Sequence, residues 1–301
     1  MTIQFAVNYS EAAAALLRSG DIQLDFFKCP AWLDLIAKVQ TQHPVYVHCP
    51  LRVGMGIGDA LDTETGNPAD WGKYDAILAQ TGTPWVSLHL GPEPGDHPDI
   101  PHTSLAPEHV DRVAEALIRD VSAVVDRFGP ERVVGENIFG YYGGHLWTAM
   151  LPDVLHRVVE ATGCGFLLDL SHARLAARDL GMDSRAYLNA LPTAHIREIH
   201  VTGIQRFAGH WVEKSRRRGV DVDALRFVGR LIDHLPMVEE DWVILEWVVQ
   251  QIHSGAWAEP WIIAFECGGV GWIYEAVMDE PTLEAQVPRL YALFKHPPTH
   301  R

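Results

Sequence analysis

Histidine and acidic side chains recur near the ends of short apolar runs along this sequence. His48 ends the run PVYVH (44–48), and His89 lies near the end of PWVSLHL (84–90). Imidazole and carboxylate together are the ligand set that zinc, iron and manganese accept, whereas magnesium and calcium prefer oxygen alone. Seven positions fit this pattern: His48, His89, Glu136, Asp169, His172, His200 and Glu266.

The seven residues indicate a metal site more strongly together than any one of them does alone. A single histidine at a strand end is more often a hydrogen-bonded core or rim residue, and a single acid there is more often a helix cap. Several carboxylates that converge on one place repel each other, and burying each one unpaired costs on the order of several kcal/mol. Cations between them remove that cost. The pattern therefore predicts a site for two or three divalent metal ions.

Asp169 and His172 form the most specific motif, a D-x-x-H sequence at a predicted transition from strand to loop. One turn of chain at this spacing can bring both side chains to the same ion, and His200 follows at the next strand end. Asp233 and His234 are a further candidate pair of metal ligands. A helix that ends at a histidine before a proline explains that pair equally well.

Two other segments could contact a substrate. His210 and the basic run at 214–218 follow the seventh strand. They could bind an anionic group or form a solvated loop. Gly54, Gly56 and Gly58 lack both the lysine of a P-loop and the spacing of a dinucleotide fingerprint, so a flexible loop over the site is expected. No lysine falls at a predicted strand end.

The candidate residues lie at the ends of eight predicted strands that alternate with helices. The strands are IQFAVN (3–8), IQLDFF (22–27), PVYVH (44–48), PWVSLHL (84–90), RVVGENI (132–138), GFLLDL (165–170), IREIHV and PWIIAFE (260–266). Strict alternation predicts a parallel sheet, and eight units close into a barrel with reactive groups at the carboxyl ends of its strands. The expected fold is α/β, a (β/α)8 TIM barrel that forms a single domain over residues 1–301.

One segment, DWVILEWV (241–248), fits either a strand or a helix by composition. Its apolar residues Trp242, Leu245, Val249 and Ile252 recur at intervals of three and four residues, which predicts a helix over 238–253. The eighth strand is then PWIIAFE, and Glu266 lies at its end.

Composition and charge narrow the classes of function. The chain has 301 residues and a net charge of −15. An acidic surface repels phosphate backbones, so nucleic acid is disfavoured as a partner. Its four cysteines form no CxxC pair, which argues against a zinc ribbon. The sequence lacks a signal-peptide pattern and an apolar run of about 20 residues, so a cytoplasmic location without a membrane partner is expected.

The ordered motifs resemble the multinuclear non-haem iron-dependent oxidase family, formerly a domain of unknown function, among the xylose-isomerase-like TIM barrels. The similar segments are YVH at 46–48 with the following VGMGIG, VSLHLG at 86–91, GENI at 135–138, GFLLDLSHARLAA at 165–177 and REIHVTG at 197–203. The resemblance implies an enzyme that oxidises a small molecule or a peptide. It also implies two or three divalent ions, with iron favoured over zinc or manganese.

By this resemblance, Glu266 would complete a set of metal ligands that consists of His48, His89, Glu136, Asp169, His172 and His200. Glu136 and Glu266 are the candidate catalytic residues and the expected bridges between ions, because a carboxylate has two oxygens to share. A peptide substrate could require a separate peptide-recognition partner protein.

Three alternatives stay open. The D-x-x-H form also resembles the trinuclear-zinc AP endonucleases, which implies a metal-dependent hydrolase or phosphodiesterase. Sugar isomerases and epimerases share the superfamily but usually need a lysine or a second glutamate near the metal. A barrel that binds metal without catalysis is the last alternative.

Overall fold

Eight parallel strands form the barrel that the sequence predicts. The computed structural model describes residues 3–140 and 144–295. The barrel strands are β1 (Gln4–Asn8), β2 (Phe26–Cys29), β3 (Val45–Val47), β4 (Val86–His89), β5 (Val133–Glu136), β6 (Gly165–Asp169), β7 (Ile196–Val201) and β8 (Ile262–Phe265). Hydrogen-bonded neighbours follow the order β3-β2-β1-β8-β7-β6-β5-β4. Arg52, five residues after β3, pairs with His89 of β4 and closes the ring.

Eleven helices of the described residues surround the barrel or lie at its mouth. They are α1 (Glu11–Ser19), α2 (Leu33–Gln40), α3 (Trp71–Thr81), α4 (Pro107–Phe128), α5 (Pro152–Thr162), α6 (Leu170–Asp179), α7 (Ser184–Asn189), α8 (His210–Arg217), α9 (Glu239–His253), α10 (Trp272–Val277) and α11 (Glu280–Lys295). Local signals set their ends: in α1, Ser10 accepts the N–H of Ala13, and Gly20 ends the helix in a left-handed conformation. None of these helices combines the length and apolar character needed to cross a bilayer.

The ambiguous DWVILEWV segment is helical within α9, which confirms the helix prediction. Among the strands, β2 differs most from its predicted boundaries. β2 begins at Phe26 rather than at residue 22, because the Asp25 side chain leaves the strand to accept the backbone N–H of Phe5 at 2.7 Å. Helix α5 begins at Pro152, which occupies its first turn.

The segment after β6 is a helix and not the predicted loop. Asp169 ends β6 and is also the N-cap of α6, where its Oδ1 accepts the backbone N–H of His172 at 2.7 Å. The D-x-x-H motif therefore joins a strand directly to a helix, and the cap fixes both residues relative to each other.

Successive residues in each strand alternate between the barrel interior and the surrounding helices. An interior apolar layer is formed by Ala6, Tyr46, Trp85, Val134, Leu167, Ile262 and Ala264, with Phe26 and Trp261 packed against it. A larger cluster, between the strands and the helices, includes Val7, Phe27 and Val47 from the opposite faces of the same strands. The interior layer fills the barrel on the amino-terminal side of the metal-ligand candidates and leaves the carboxyl ends of the strands open.

A separate lobe lies between β7 and α9. Strands Gly203–Arg206 and Leu231–Leu235 pair antiparallel outside the barrel sheet. We call residues 203–237 together with α10 the mouth lobe. Its own apolar cluster consists of Phe207, Trp211, Val222, Leu225, Phe227, Leu235, Ile273, Ala276 and Val277.

The glycine-rich loop after β3 is held in place rather than flexible. Asp120 of α4 is buried, and its two carboxylate oxygens accept the backbone N–H groups of Gly54, Gly56 and Gly58 at 2.9, 2.9 and 2.7 Å. All three glycines have positive φ, which lets the N–H groups of these alternate residues turn toward one acceptor. The loop is therefore an anchored part of the barrel rim.

Candidate metal centre

The metal-ligand candidates form the layer directly above the interior apolar layer. Those on barrel strands lie two residues after an interior side chain of the same strand, so the two-residue period of a strand directs them to the same side. The pairs include Tyr46 with His48, Val134 with Glu136, Leu167 with Asp169 and Ala264 with Glu266. The packing of the barrel interior thus determines which side chains meet at the mouth.

Glu136 is the centre of this layer and is 2% exposed. Its Oε2 lies 3.3 Å from Nε2 of both His48 and His89. Its Oε1 lies 3.5 Å from Nδ1 of His172 and 3.6 Å from Nδ1 of His200. Two ligand atoms on one tetrahedral ion with bonds of about 2.1 Å lie about 3.4 Å apart, so the separations of Glu136 from His48, His89 and His200 match those of ligands that share an ion.

The remaining acids extend the cluster on two sides. His200 Nδ1 lies 3.3 Å from Glu266 Oε1 and 4.0 Å from Asp169 Oδ2. His172 Nε2 lies 3.0 Å from Asp233 Oδ2, which is 3.8 Å from His234 Nε2. All nine sequence-predicted residues therefore belong to one connected site. Three overlapping triads have the spacing of metal ligands: His48–Glu136–His200, Glu136–Asp169–His172 and Asp169–His200–Glu266.

Four of the histidines donate one ring N–H away from the centre. The bonds are His89 Nδ1 to Leu51 O (3.1 Å), His172 Nδ1 to Asn137 O (2.9 Å), His234 Nδ1 to Glu266 O (2.9 Å) and His200 Nε2 to Glu198 Oε1 (2.8 Å). Such a bond fixes the tautomer and leaves a lone pair on the other nitrogen. The free nitrogens of these rings face neighbouring acids, which is the arrangement that metal-binding histidines adopt.

Several buried polar atoms of the centre have no hydrogen-bond partner. They are His48 Nδ1, Glu136 Oε2, Asp169 Oδ2 and His200 Nδ1. A buried polar atom without a partner costs about 1–3 kcal/mol, and more when it is charged. Bound cations would satisfy three of these atoms, Glu136 Oε2, Asp169 Oδ2 and His200 Nδ1, because each faces another ligand candidate. The donor set and its unpartnered atoms thus fit divalent metal ions.

The pKa values of Glu136 and His172 are shifted because charged groups lie close together in the centre. Burial opposes ionisation of Glu136, but the nearby His89 and His48 hold the pKa of its carboxyl well below its usual range. Burial also acts against a charged His172, yet Asp169 and Asp233 raise its pKa to about 10. The acids of the cluster therefore favour positive charge at their centre, which a bound cation would supply.

The pair Asp233 and His234 lies in the mouth lobe and not at the end of a helix. Both residues belong to the strand Leu231–Leu235. His234 has a φ of 57°, the single positive value among non-glycine residues of the described chain. This left-handed conformation is unfavourable for histidine. It accompanies the bond from His234 Nδ1 to the carbonyl of Glu266, which orients the ring at the mouth.

Two residues of the centre escaped the sequence analysis. Lys28 lies on β2, two residues after Phe26, and its Nζ contacts Glu266 Oε1. The expectation that no lysine lies at a strand end was therefore wrong, because it placed the end of β2 at Phe27. Glu198 lies two residues before His200, is 1% exposed, and accepts hydrogen bonds from His200 and from Trp85 Nε1 at 2.6 Å. Lys28 lies two residues after Phe26, and Glu198 lies two residues before His200. Because side chains two residues apart in a strand point to the same side, this spacing could have revealed both residues.

Two residues of the basic run after β7 bond to the chain in and just after α10. Lys214 pairs with Asp279 at 3.1 Å and also reaches the carbonyl of Val277. Arg218 donates to the carbonyls of Glu275 and Met278. These bonds attach α8 to the chain around α10, so the run has a structural role at these two positions.

Two cavities open onto the centre. One of about 320 Å³ is lined by Lys28, His48, Glu136 and Glu266 together with Trp32 and Tyr274. The other, of about 710 Å³, is lined by Arg52, His145 and Asp233 together with side chains of the mouth lobe. His89, His172, His234, Thr63 and Tyr274 line both cavities. The two cavities therefore meet at the candidate ligands.

Known proteins resemble this chain in sequence and in fold. Residues 26–252 match the family described as RiPP precursor modification enzyme MbnB/TglH/ChrH. A UPF0276 protein of Chromobacterium violaceum is 28% identical over 231 residues, which are 75% of this chain and 80% of that protein. One of Paraburkholderia phytofirmans is 30% identical over 172 residues, 56% of this chain and 52% of that protein. A xylose isomerase domain containing protein of Salmonella typhimurium superposes with a TM-score of 0.54 at 16% identity, over 98% of this chain and 99% of that one.

The fold and the site together define a xylose-isomerase-like (β/α)8 barrel with an imidazole and carboxylate cluster that could bind metal at its mouth. The family match extends over well more than half of the chain. The chain therefore belongs to the MbnB/TglH/ChrH family of RiPP precursor modification enzymes, which confirms the family that its motifs resemble. Family and cluster together support a metal-dependent enzyme.

Proposed function

We propose that this protein is a non-haem iron-dependent oxidase that modifies a precursor peptide at a multi-metal site in the barrel mouth. The observation that carries the proposal is the position of Glu136. Its two oxygens face different pairs of histidines, His48 and His89 on one side and His172 and His200 on the other. A carboxylate in this position can bridge two ions and keep them close enough to act on one substrate.

The protein side chains would hold the ions and leave room for reactants. When bound, ferrous ions supply the electrons and the open coordination positions that dioxygen chemistry requires. Glu136 would bridge two ions, and Glu266 would lie at the edge nearest to Lys28. The cavities on the outer side of His89, His172 and His234 provide space for a substrate next to the ligands.

A peptide substrate is consistent with the shape and lining of the mouth. The two cavities share five lining residues at the centre, so an extended segment could occupy both and pass over the ions. Trp32 and Tyr274, which are 39% and 41% exposed, offer aromatic surface on this path. A partner protein that recognises the rest of the peptide, and a cytoplasmic location, belong to the same proposal.

Lys28 favours one alternative function. A buried lysine beside the metal ligands is the feature expected of a sugar isomerase or epimerase, and this chain has one that contacts Glu266. An isomerase or a hydrolase would turn over without oxygen and would work with zinc or manganese. Oxygen dependence thus separates these functions from an oxidase.

Metal analysis and oxygen uptake test the proposal together. Protein purified without oxygen would be loaded with ferrous iron, zinc or manganese and mixed with precursor peptides encoded near its gene. We expect iron at more than one ion per chain, and oxygen consumption together with a mass change of the peptide only in the iron form. Turnover without oxygen, or with zinc alone, would refute the oxidase function.

A further inference from the structure

Lys28 places an amino group within the candidate metal centre. The residue is 8% exposed, and its stem runs along the barrel interior between Phe26 and the mouth. Its ammonium group contacts the carboxylate of Glu266, which is 3% exposed. A buried ammonium requires a negative partner, and here that partner is a candidate metal ligand.

The three ligand triads are affected differently by this contact. Two of them contain Glu136 and do not contain Glu266. The third consists of Asp169, His200 and Glu266, and only this triad uses the oxygen that Lys28 contacts. His200 Nδ1 lies 3.3 Å from the same Glu266 oxygen. An ion in the third triad would therefore have to bind directly beside an ammonium group.

Two effects oppose an ion in the third triad: its repulsion by the ammonium group, and the bond that already occupies the Glu266 carboxylate. A divalent cation and an ammonium on one carboxylate repel each other strongly where little water screens them. The ammonium already neutralises Glu266 and forms the hydrogen bond that an ion would replace. The two triads on Glu136 carry no such competitor in the described chain, and His48 and His172 belong to them alone.

We infer that Lys28 takes the place of one metal ion, so that this protein binds ions at the two triads on Glu136 and an ammonium group at the third triad. The inference rests on the proposed metal centre and specifies how many ions it holds. Lys28 is thus a positioning residue, which holds Glu266 in the site and keeps the third triad free of metal.

A set of four variants tests this inference by counting ions. Wild type, Lys28→Met, Lys28→Arg and the double variant Lys28→Met with Glu266→Gln would be loaded with ferrous iron without oxygen, desalted and analysed by plasma mass spectrometry. We expect two ions per chain in wild type and in Lys28→Arg. Lys28→Met is expected to bind one additional ion, because Glu266 becomes available, and the double variant is expected to return to two.

An equal ion count in wild type and Lys28→Met would overturn the inference, and so would three ions in wild type. If Lys28→Met does not fold, the double variant still tests it, since a count below two would show that Glu266 binds an ion in wild type. Lys38→Met, which removes an exposed lysine outside the ligand cluster, controls for the loss of a charge. Two ions in a wild-type protein that consumes no oxygen would refute the oxidase function and leave this inference standing.

Discussion

Asp169 shows that one side chain at this site can have two roles. Asp169 caps α6 with one oxygen and leaves the other unpartnered within the cluster. The sequence offered a helix cap and a metal ligand as alternative explanations for such an acid. The structure allows both, because a carboxylate has two oxygens that can face in different directions.

Replacement of Glu136 with glutamine should impair metal binding most. The amide keeps the shape of the side chain but removes the charge and one acceptor oxygen, so neither histidine pair retains its shared anionic ligand. We expect at least a tenfold loss of affinity for the first ion, measured by calorimetric titration without oxygen. Glu131→Gln, an exposed glutamate before β5, is the matched control, and equal affinity in both variants would contradict the assignment.

Glu198→Gln should weaken metal binding without touching an ion. Glu198 accepts the Nε2–H of His200 and so keeps the Nδ1 lone pair of that ring directed at the acids. Changes to such supporting groups cost about 10- to 100-fold in metal affinity. We expect a loss in that range with the ion count and the melting temperature nearly unchanged.

Trp85→Phe removes the other hydrogen bond to Glu198 and leaves the His200 contact intact, so its effect on metal affinity should be smaller. A larger loss for Trp85→Phe than for Glu198→Gln would show that packing of the barrel interior, and not the histidine tautomer, controls affinity.

At the scale of elements, the sequence predicted the barrel well because its strands and helices follow strong local rules. Short buried runs that alternate with amphipathic helices identified all eight strands, and the period of Trp242, Leu245 and Ile252 distinguished α9 from a strand. The seven strand-end candidates follow from the same alternation, and the structure brings them together.

The missed elements depended on contacts between distant parts of the chain. Asp25 ends the irregular segment before β2 because its side chain accepts the backbone N–H of Phe5. No local sequence pattern predicts that hydrogen bond. The error moved the end of β2 and concealed Lys28. The anchoring of the glycine loop by Asp120 is equally nonlocal, since more than 60 residues separate the partners.

Asp120→Ala should destabilise the rim of the barrel. The change leaves three backbone N–H groups of the glycine loop without their acceptor, and that of Gly54 is buried. Hydrogen bonds to charged groups contribute about 1.5–3 kcal/mol each, but the loop can partly relax toward water. We expect the free energy of unfolding to fall by about 3 kcal/mol in urea titrations.

Asp126→Ala provides the comparison for this experiment, since Asp126 is an exposed residue of the same helix. Its unfolding free energy should differ from wild type by less than about 0.5 kcal/mol. If Asp120→Ala were as mild, the loop would be stable without its anchor.

For the whole molecule, metal binding should add to folding stability. Only the folded chain brings the clustered acids and imidazoles together, so ions bind the native state in preference to the unfolded chain. At a free metal concentration of about 100 times the dissociation constant, one site adds about 2.7 kcal/mol. We expect the melting temperature to rise by several degrees with ferrous iron and to fall again with a chelator.

In a Glu136→Gln variant the iron-dependent rise in melting temperature should largely disappear, because Glu136 belongs to both triads that are inferred to bind ions. An equal rise in wild type and variant would mean that the stabilising ion binds elsewhere on the acidic surface.

The mouth lobe has a consequence for how such proteins diversify. It packs around its own apolar cluster, and yet it supplies Asp233 and His234 and part of the larger cavity. Mutations within the lobe can therefore accumulate without disturbing the register of the barrel strands. A single exchange of this segment between relatives would alter the outermost ligands and the substrate-facing wall at once, which makes the lobe the natural unit for recombination and for engineering new specificity.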